Sequence, residues 1–233
     1  MLFRMTGMQV NALEQLAATF DFGHGARHSR KVSQLATSLF DQLSFGGLIP
    51  ALMPEDRRLL TAAGFVHDIG ASAVAHHVFS AITEEQRPSQ HRKESHNVLS
   101  CQLLQRAVED PQQLRLRQIE KREWCALLYC VLWHEGDPRE QLPGVPLVEP
   151  WRVRPLAGML RLAEALDCSE NSAVAQIRVL RAPSWLRLLV RPARSCDHEI
   201  AAAQKSSDIL AEAIDLRIVI QQVVEEAAPQ KRT

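Results

Sequence analysis

The feature of this sequence that most restricts its fold is a change in the spacing of apolar residues near position 170. Before that point apolar side chains recur every three to four residues, for example at Val10, Leu13 and Leu16, which is the spacing of an amphipathic α-helix. After it, the alternation over 175–179 and the short branched run SWLRLLV are typical of β-strands. The sequence therefore predicts a mainly α helical body over residues 1–170, followed by a small α+β extension over residues 171–233 packed on it.

Glycine, proline and capping residues set the boundaries of the predicted elements. Gly23, Gly46 and Gly70 end the first three helices, and Pro54 with the acidic residues after it opens the third. A fourth helix begins near Ser95, where a side-chain cap is available. The remaining predicted elements are a helix over about 112–134, a helix over 151–170, a β-hairpin turning at 183–184, a helix over 197–214 and a third strand over 216–220 that pairs with the hairpin.

Composition excludes several classes of function. The 233 residues carry 27 Lys+Arg and 27 Asp+Glu, and a formal net charge of zero disfavours a nucleic-acid-binding surface. The longest apolar run, 124–133, is about half of the roughly 20 residues that a bilayer span requires, so we expect no membrane helix and a cytoplasmic protein. The 5 cysteines are odd in number and form no C-x-x-C pair, which favours reduced, packed thiols over a disulfide framework or a structural zinc site.

Imidazole and carboxylate groups occur close to the ends of five separate predicted helices. Helix ends on one side of a bundle can converge, and this ligand set suits a divalent transition metal. The adjacent pair at 67–68 can address one ion only if that ion lies beyond the end of the helix, because neighbouring helical residues point about 100° apart. The candidate residues are His28, His67, Asp68, His96, His134 and Asp167.

These residues lie within five phrases that resemble, in order, the successive motifs of the HD-domain superfamily. The phrases are HSRKVSQLATSLFDQL, LLTAAGFVHDIG, SHNVLSCQLL, VLWHEGDP and LAGMLRLAEALDCSEN. More narrowly, they and the closing hairpin, helix and strand are similar to the C-terminal HD-type region of the exopolyphosphatase / guanosine pentaphosphate phosphatase family. The resemblance spans nearly the whole chain, and its most specific parts are the HDIG and LRLAEALD phrases.

The resemblance implies a metal-dependent phosphohydrolase. It implies that His28, His67, Asp68 and Asp167 bind a first divalent ion, and that His96 and His134 complete a second site bridged by Asp68. One or two ions of Mn, Fe, Ni, Zn or Mg are therefore expected, with water activated by the metal attacking a phosphoester. The substrate class is a small phosphorylated molecule, with a nucleotide as the leading candidate.

One departure from the narrower family limits this inference. In that family the polyphosphate and pentaphosphate chemistry belongs to a preceding actin-like ATPase-fold region, and about 25 residues before His28 could not hold one. We therefore expect the HD-type site, and not the family's named activity, to carry over. The alternative is a non-catalytic module that binds a phosphorylated regulatory ligand or mediates oligomerisation. An edge strand in the hairpin and the apolar helix at Trp151 leave room for a homodimer.

Other residues near the predicted ligands have candidate roles in substrate binding or proton transfer. Asp68 or Glu135 could act as general acid or base. A guanidinium or ammonium group could hold a phosphate, although helix-surface cations are usually solvated, and Arg161 could instead pair with Glu164 or Asp167. The candidate substrate-binding residues are Arg27, Lys31, Arg92, Lys93 and Arg161. His76, His77 and His91 could act as proton donors or auxiliary ligands, but we favour their assignment to a polar loop without a direct role.

Overall fold

The computed structural model of the protein describes residues 4–20, 25–71 and 95–223. Within those ranges the helices are α1 Gly7–Thr19, α2 Gly25–Phe45, α3 Asp56–Val66, α4 His96–Glu109, α5 Leu114–Arg117, α6 Lys121–Trp133, α7 Pro150–Ala165, α8 Asp197–Lys205 and α9 Asp208–Ile214. The strands are β1 Val174–Arg181, β2 Trp185–Pro192 and β3 Arg217–Gln222. None of the helices in these ranges has the length and apolar character needed to cross a bilayer.

The predicted mainly α class with a small α+β extension is confirmed, but four helix boundaries were wrong, among them the end of the helix predicted over 151–170, which ends at Ala165. Residues 112–134 form two helices, because the Glu120 side chain caps a new helix by accepting hydrogen bonds from the amides of Arg122 and Glu123. Residues 197–214 also form two helices, with a break at 206–207. The third helix ends at Val66, so His67 and Asp68 lie beyond it.

Two glycines bring helices of the body into close contact. A Cβ at Gly64 of α3 would lie 2.6 Å from the Cα of Ser33 in α2, and one at Gly158 of α7 would lie 2.7 Å from the amide nitrogen of Leu210 in α9. Only glycine permits these approaches. They let α2, α3 and α7 pack around one core that includes Leu39.

The extension is a three-stranded sheet in the order β1-β2-β3. β1 and β2 form the predicted antiparallel hairpin, and β3 joins β2 in parallel, with α8 and α9 between them in sequence. Glutamine side chains attach helices to both outer strands. Gln42 of α2 donates to Ile177 and accepts from the amide of Val179, while Gln204 of α8 makes the same pair of contacts with Ile218 and Ile220.

A buried ionic network joins the amino-terminal ends of three body helices. Arg152 of α7 is 0% exposed, contacts both carboxylate oxygens of Glu123 in α6 at 2.7 and 2.9 Å, and donates to Asp56 of α3 at 2.6 Å. Arg4 and Glu149 complete the network. Its charges are matched by close contacts, which fixes α3, α6 and α7 relative to one another.

Candidate metal centre

The centre lies where the opposite ends of these helices meet. α2 begins just before His28, α3 ends just before the pair His67-Asp68, and α4 begins at His96. His134 follows the last residue of α6, and Glu164 lies in the last turn of α7. Each group therefore lies at a helix terminus, and all of them except Glu164 are among the residues that the sequence pattern predicts.

Gly70 places α4 against this centre. A Cβ at this position would lie 2.4 Å from the carbonyl oxygen of His96 and 2.5 Å from the amide nitrogen of Ser100, so no other residue fits without moving α4. The amide of Gly70 also donates to the Ser100 hydroxyl at 2.9 Å. The glycine of the HDIG phrase therefore serves to bring His96 close to Asp68, whereas the sequence analysis gave it only a helix-ending role.

The first cluster of ligand atoms is formed by His28, His67, Asp68 and Glu164. The Nε2 atoms of His28 and His67 lie 3.0 and 2.9 Å from the same Glu164 Oε2 atom. One carboxylate oxygen thus faces two imidazole nitrogens. All of the ligand atoms lie within 4.8 Å of one another, close enough to surround a single ion.

The second cluster is formed by Asp68, His96 and His134. Asp68 Oδ1 lies 3.1 Å from His96 Nε2 and 3.6 Å from His134 Nε2, and the two Nε2 atoms are 3.3 Å apart. Glu135 reaches His96 Nε2 at 2.9 Å from the solvent side. Asp68 belongs to both clusters, so its carboxylate is the bridge between them.

The outer nitrogens of three of these histidines contact acceptors. The Nδ1 atoms of His28 and His67 lie 2.9 Å from Asp167 Oδ2 and from the Gly64 carbonyl oxygen, and His134 Nδ1 contacts the Val131 carbonyl oxygen. A proton on Nδ1 that is donated to such an acceptor leaves Nε2 with a lone pair directed inward. This is the tautomer in which imidazole binds a metal.

The inner oxygen of Asp68 is the observation that tests whether these residues fit a metal. Asp68 Oδ1 is buried and makes no hydrogen bond with any described residue, although two imidazole nitrogens lie beside it. A buried carboxylate oxygen without a hydrogen-bond donor is costly. A bound cation would satisfy it, and the imidazole and carboxylate donors around it suit a divalent transition metal.

The acids of the centre hold positive charge on the histidines when no metal is bound. Burial lowers the pKa of His28, but hydrogen bonds to Asp167 and Glu164 outweigh this effect and raise it to about 10. Contacts with Asp68 and Glu135 likewise raise the pKa of His96 to about 10. These protons occupy positions where a cation would bind, so metal binding must release them.

The carboxylates of the centre are held in their ionised form. Burial raises the pKa of Asp68 and of Glu164, but the neighbouring histidines, His67 foremost for Asp68 and His28 foremost for Glu164, lower both pKa values below the usual range. The hydrogen bond from His96 lowers the pKa of Glu135. At neutral pH these groups are therefore ionised, so they accept hydrogen bonds and can bind cations.

Comparison with protein families matches the HD domain over residues 25–170. The chain belongs to the HD-domain family. The match covers α2 to α7, which carry every group of the two clusters. No curated protein sequence matches the chain.

Within this HD domain, Glu164 is a centre residue that the sequence analysis missed. The resemblance gave the last ligand position to Asp167, but the first cluster contains Glu164, and Asp167 contacts the outer Nδ1 of His28. Asp167 also accepts a hydrogen bond from the amide of Ser172 at 3.0 Å. The signal for Glu164 was its position three residues before Asp167, which in the predicted helix over 151–170 would put both carboxylates on one face.

The predicted substrate-binding cations of the HD domain are differently placed. Arg161 donates from Nη1 to the Gly136 carbonyl oxygen at 2.7 Å and so ties α7 to the turn after His134. Lys31 is half-buried near Asp167: burial lowers its pKa and the charge of Asp167 opposes that shift. Arg27 is exposed one residue before His28. Arg92 and Lys93, like the three loop histidines at 76, 77 and 91, lie outside the described residues.

Proposed function

We propose that this HD domain is a divalent-metal-dependent phosphohydrolase that acts on a small phosphorylated molecule, with nucleotides as the leading class. The observation that carries the proposal is the buried carboxylate of Asp68, which belongs to both clusters of inward-facing imidazole nitrogens and whose Oδ1 makes no hydrogen bond with a described residue. Two sites that share one carboxylate are suited to a pair of ions about 3.5–4 Å apart. Membership of the HD-domain family supports the same reaction class.

In this proposal each cluster holds one ion. His28, His67, Asp68 and Glu164 would hold the first, and Asp68, His96 and His134 would hold the second. Bound there, divalent ions lower the pKa of a water molecule toward neutrality and polarise a phosphoryl oxygen. Asp68 would fix the position of one site relative to the other, because its two oxygens face different clusters.

The surrounding residues orient the ligands and receive the substrate. Asp167 and the Gly64 carbonyl hold the outer nitrogens of His28 and His67, which fixes the direction of both rings. Glu135 holds His96 from the solvent side. The half-buried Lys31 and the exposed Arg27, both close to His28 on α2, are the cations that we propose contact the phosphate, because an anionic ligand needs positive charge beyond the metal.

A closer relationship to one group of HD-type proteins is also part of the proposal. The five sequence phrases and the hairpin, helices and strand of the extension support a relationship to the C-terminal HD-type region of the exopolyphosphatase / guanosine pentaphosphate phosphatase family. That relationship makes a phosphorylated guanine nucleotide a substrate worth including in any screen. The chemistry proposed here depends only on the HD centre.

The test is metal content combined with phosphate release. Elemental analysis of the purified full chain should find one to two divalent ions per chain. A screen of nucleotides, sugar phosphates and phosphodiesters should then give phosphate release that is lost on treatment with a chelator and restored by added Mn²⁺. Protein without bound metal that also gains no thermal stability from added divalent ions would overturn the proposal.

An isosteric pair of variants separates the enzyme from a contaminant and from a binding module. Asp68→Asn removes the bridging charge, and Asp41→Asn makes the same change on an exposed aspartate that pairs with Arg57. We expect the first to abolish phosphate release and the second to leave it unchanged. Equal release from both variants would assign the activity to a contaminant. Metal and nucleotide binding without any turnover would contradict the proposal in favour of a non-catalytic module.

A further inference from the structure

A second group of metal-ligating side chains lies outside the HD centre, where the body meets the extension. Cys168 follows the carboxyl-terminal end of α7, and His198 and Glu199 lie in the first turn of α8. One ligand atom from each of the three lies within 4.8 Å of the other two. Cys168 Sγ and His198 Nδ1 are 3.4 Å apart.

Glu199 is the least explained member of this group. The residue is 2% exposed, and among the described residues its carboxylate contacts no lysine or arginine as an ion pair; its hydrogen-bond donor is the hydroxyl of Ser169. The amino-terminal end of α8 supplies only a partial positive charge. A buried carboxylate is normally paired with a cation or coordinates a metal.

The spacing of the sulfur and nitrogen fits tetrahedral zinc. A Zn–S bond of about 2.3 Å and a Zn–N bond of about 2.0–2.1 Å, at a tetrahedral angle, place the two ligand atoms about 3.6 Å apart. The 3.4 Å between Cys168 Sγ and His198 Nδ1 is close to this value. The donor set of thiolate, imidazole and carboxylate is also one that zinc prefers, and the charges of a thiolate and a carboxylate would neutralise the dication.

We propose that Cys168, His198 and Glu199 form a zinc site that is separate from the HD centre. The ion would clamp the end of α7 to the start of α8, and thus the extension to the body. Cys168 directly follows Asp167, whose carboxylate contacts His28 of the HD centre. The fourth coordination position would face solvent on the side of the exposed His198, which gives the ion a path to enter.

Cobalt spectroscopy tests this site independently of the HD centre, because the two clusters of the HD centre contain no cysteine whereas this group contains Cys168. The full chain is reduced, stripped of metal with a chelator and titrated with Co²⁺. We expect a thiolate-to-cobalt charge-transfer band whose intensity at saturation corresponds to one thiolate-bound cobalt per chain and which disappears when Zn²⁺ displaces the cobalt. The absence of such a band would overturn the proposal, whatever the HD centre binds.

Variants assign the band to its ligands. Cys168→Ser should abolish it, whereas Cys125→Ser, a matched change at a cysteine of α6, and Asp68→Asn in the HD centre should leave it intact. His198→Gln changes an exposed residue and so tests the site without threatening the fold; we expect Co²⁺ affinity to fall at least about tenfold. A band that survives in Cys168→Ser, or an affinity unchanged in His198→Gln, would contradict the assignment.

Discussion

The two ends of α3, α6 and α7 carry contrasting clusters of charged residues. At the amino-terminal ends, Arg152 is fully buried and contacts three carboxylates, whose charge it balances together with Arg4 and Arg122. At the carboxyl-terminal ends, the histidines and acids leave Asp68 Oδ1 without a hydrogen bond. The same helices therefore carry two networks: at one end the carboxylates are paired with arginines, which we call the closed network, and at the other a carboxylate oxygen has no hydrogen bond, which we call the open network.

This contrast separates stability from function. A buried network whose charges are matched holds its helices in place and has no use for an added ligand. In the metal-free centre, protons on His28 and His96 occupy the place of a metal cation, and metal binding that displaces them stabilises the folded state. We therefore expect the Arg152 network to determine folding and the HD centre to determine metal binding. Changes in the Arg152 network should have little effect on metal binding.

The largest predicted effect is that of Arg152→Met on stability. This substitution leaves Asp56 and Glu123 buried without their main partner, so we expect the free energy of unfolding to fall by about 3–5 kcal/mol. The metal content of the folded fraction should not change, because the HD centre lies at the opposite helix ends. Urea unfolding and elemental analysis of the same sample measure both quantities.

A matched surface variant shows whether burial is the cause. Arg57 makes a two-bond contact with Asp41 at 2.7 and 2.9 Å, but both side chains are about half exposed. We expect Arg57→Met to lower the free energy of unfolding by about 1 kcal/mol or less. Equal effects of the two substitutions, or loss of metal in Arg152→Met, would contradict the division of roles.

The second prediction concerns the pH dependence of the metal-free protein. The folded-state pKa values of His28 and His96 are raised to about 10 from an ordinary value of 6.5. A raised pKa contributes stability that is fully present below pH 6.5 and is lost as pH rises through 10. Metal-free protein should therefore become less stable between these values, and the buried His28 should contribute more of this loss than His96, which is 32% exposed.

The same pH series measured with metal bound is the control for this effect. With Mn²⁺ at saturation the histidines are neutral ligands in the folded state, so the decline between pH 6.5 and 10 should disappear. Urea unfolding in chelator and in Mn²⁺ across this range measures the difference. Parallel declines in both conditions would show that the HD histidines are not its source.

The third prediction separates the roles of Glu164 and Asp167. If Asp167 only orients His28, then Asp167→Asn should weaken metal affinity by about 10–100-fold, while the Ser172 contact is preserved. Glu164→Gln should weaken it more, because Glu164 faces both His28 and His67. A chelator-competition titration of both variants gives the ranking. The reverse ranking would make Asp167 the ligand, as the sequence resemblance implies.

Much of the fold and of the metal centre could be predicted from the sequence. The features that could not be predicted have physical causes. The period of apolar residues predicts the helical body and the change to strands, and the order of the phrases predicts which helix ends meet. Glu164 was missed because the spacing of residues along the sequence does not show which of two carboxylates near the end of α7 points toward the centre. That choice depends on the orientation of His28, which Asp167 fixes from behind.

The Arg152 network and the Cys168 group lay outside the reach of sequence patterns for a different reason. Arg152 reads as an ordinary polar residue near a helix start, and its partners are 29 and 96 residues away along the chain. Cys168 and His198 are 30 residues apart and match no metal-binding spacing. Contacts of this kind are created by the fold, so only the structure reveals them.

The smallest predicted effect is that of Glu135→Gln. Glu135 contacts His96 at 2.9 Å but is 58% exposed, so the charged contact contributes about 1 kcal/mol or less, and metal affinity at the second cluster should fall about fivefold at most. The rate of phosphate release should fall by a similar factor, because the lowered pKa of Glu135 makes it a poor proton donor. Calorimetric metal titration and kcat measured at saturating Mn²⁺ check the two values. A kcat that drops by about 10²-fold or more at full metal occupancy would instead make Glu135 the general acid or base, and would place part of the chemistry on the exposed rim of the open network.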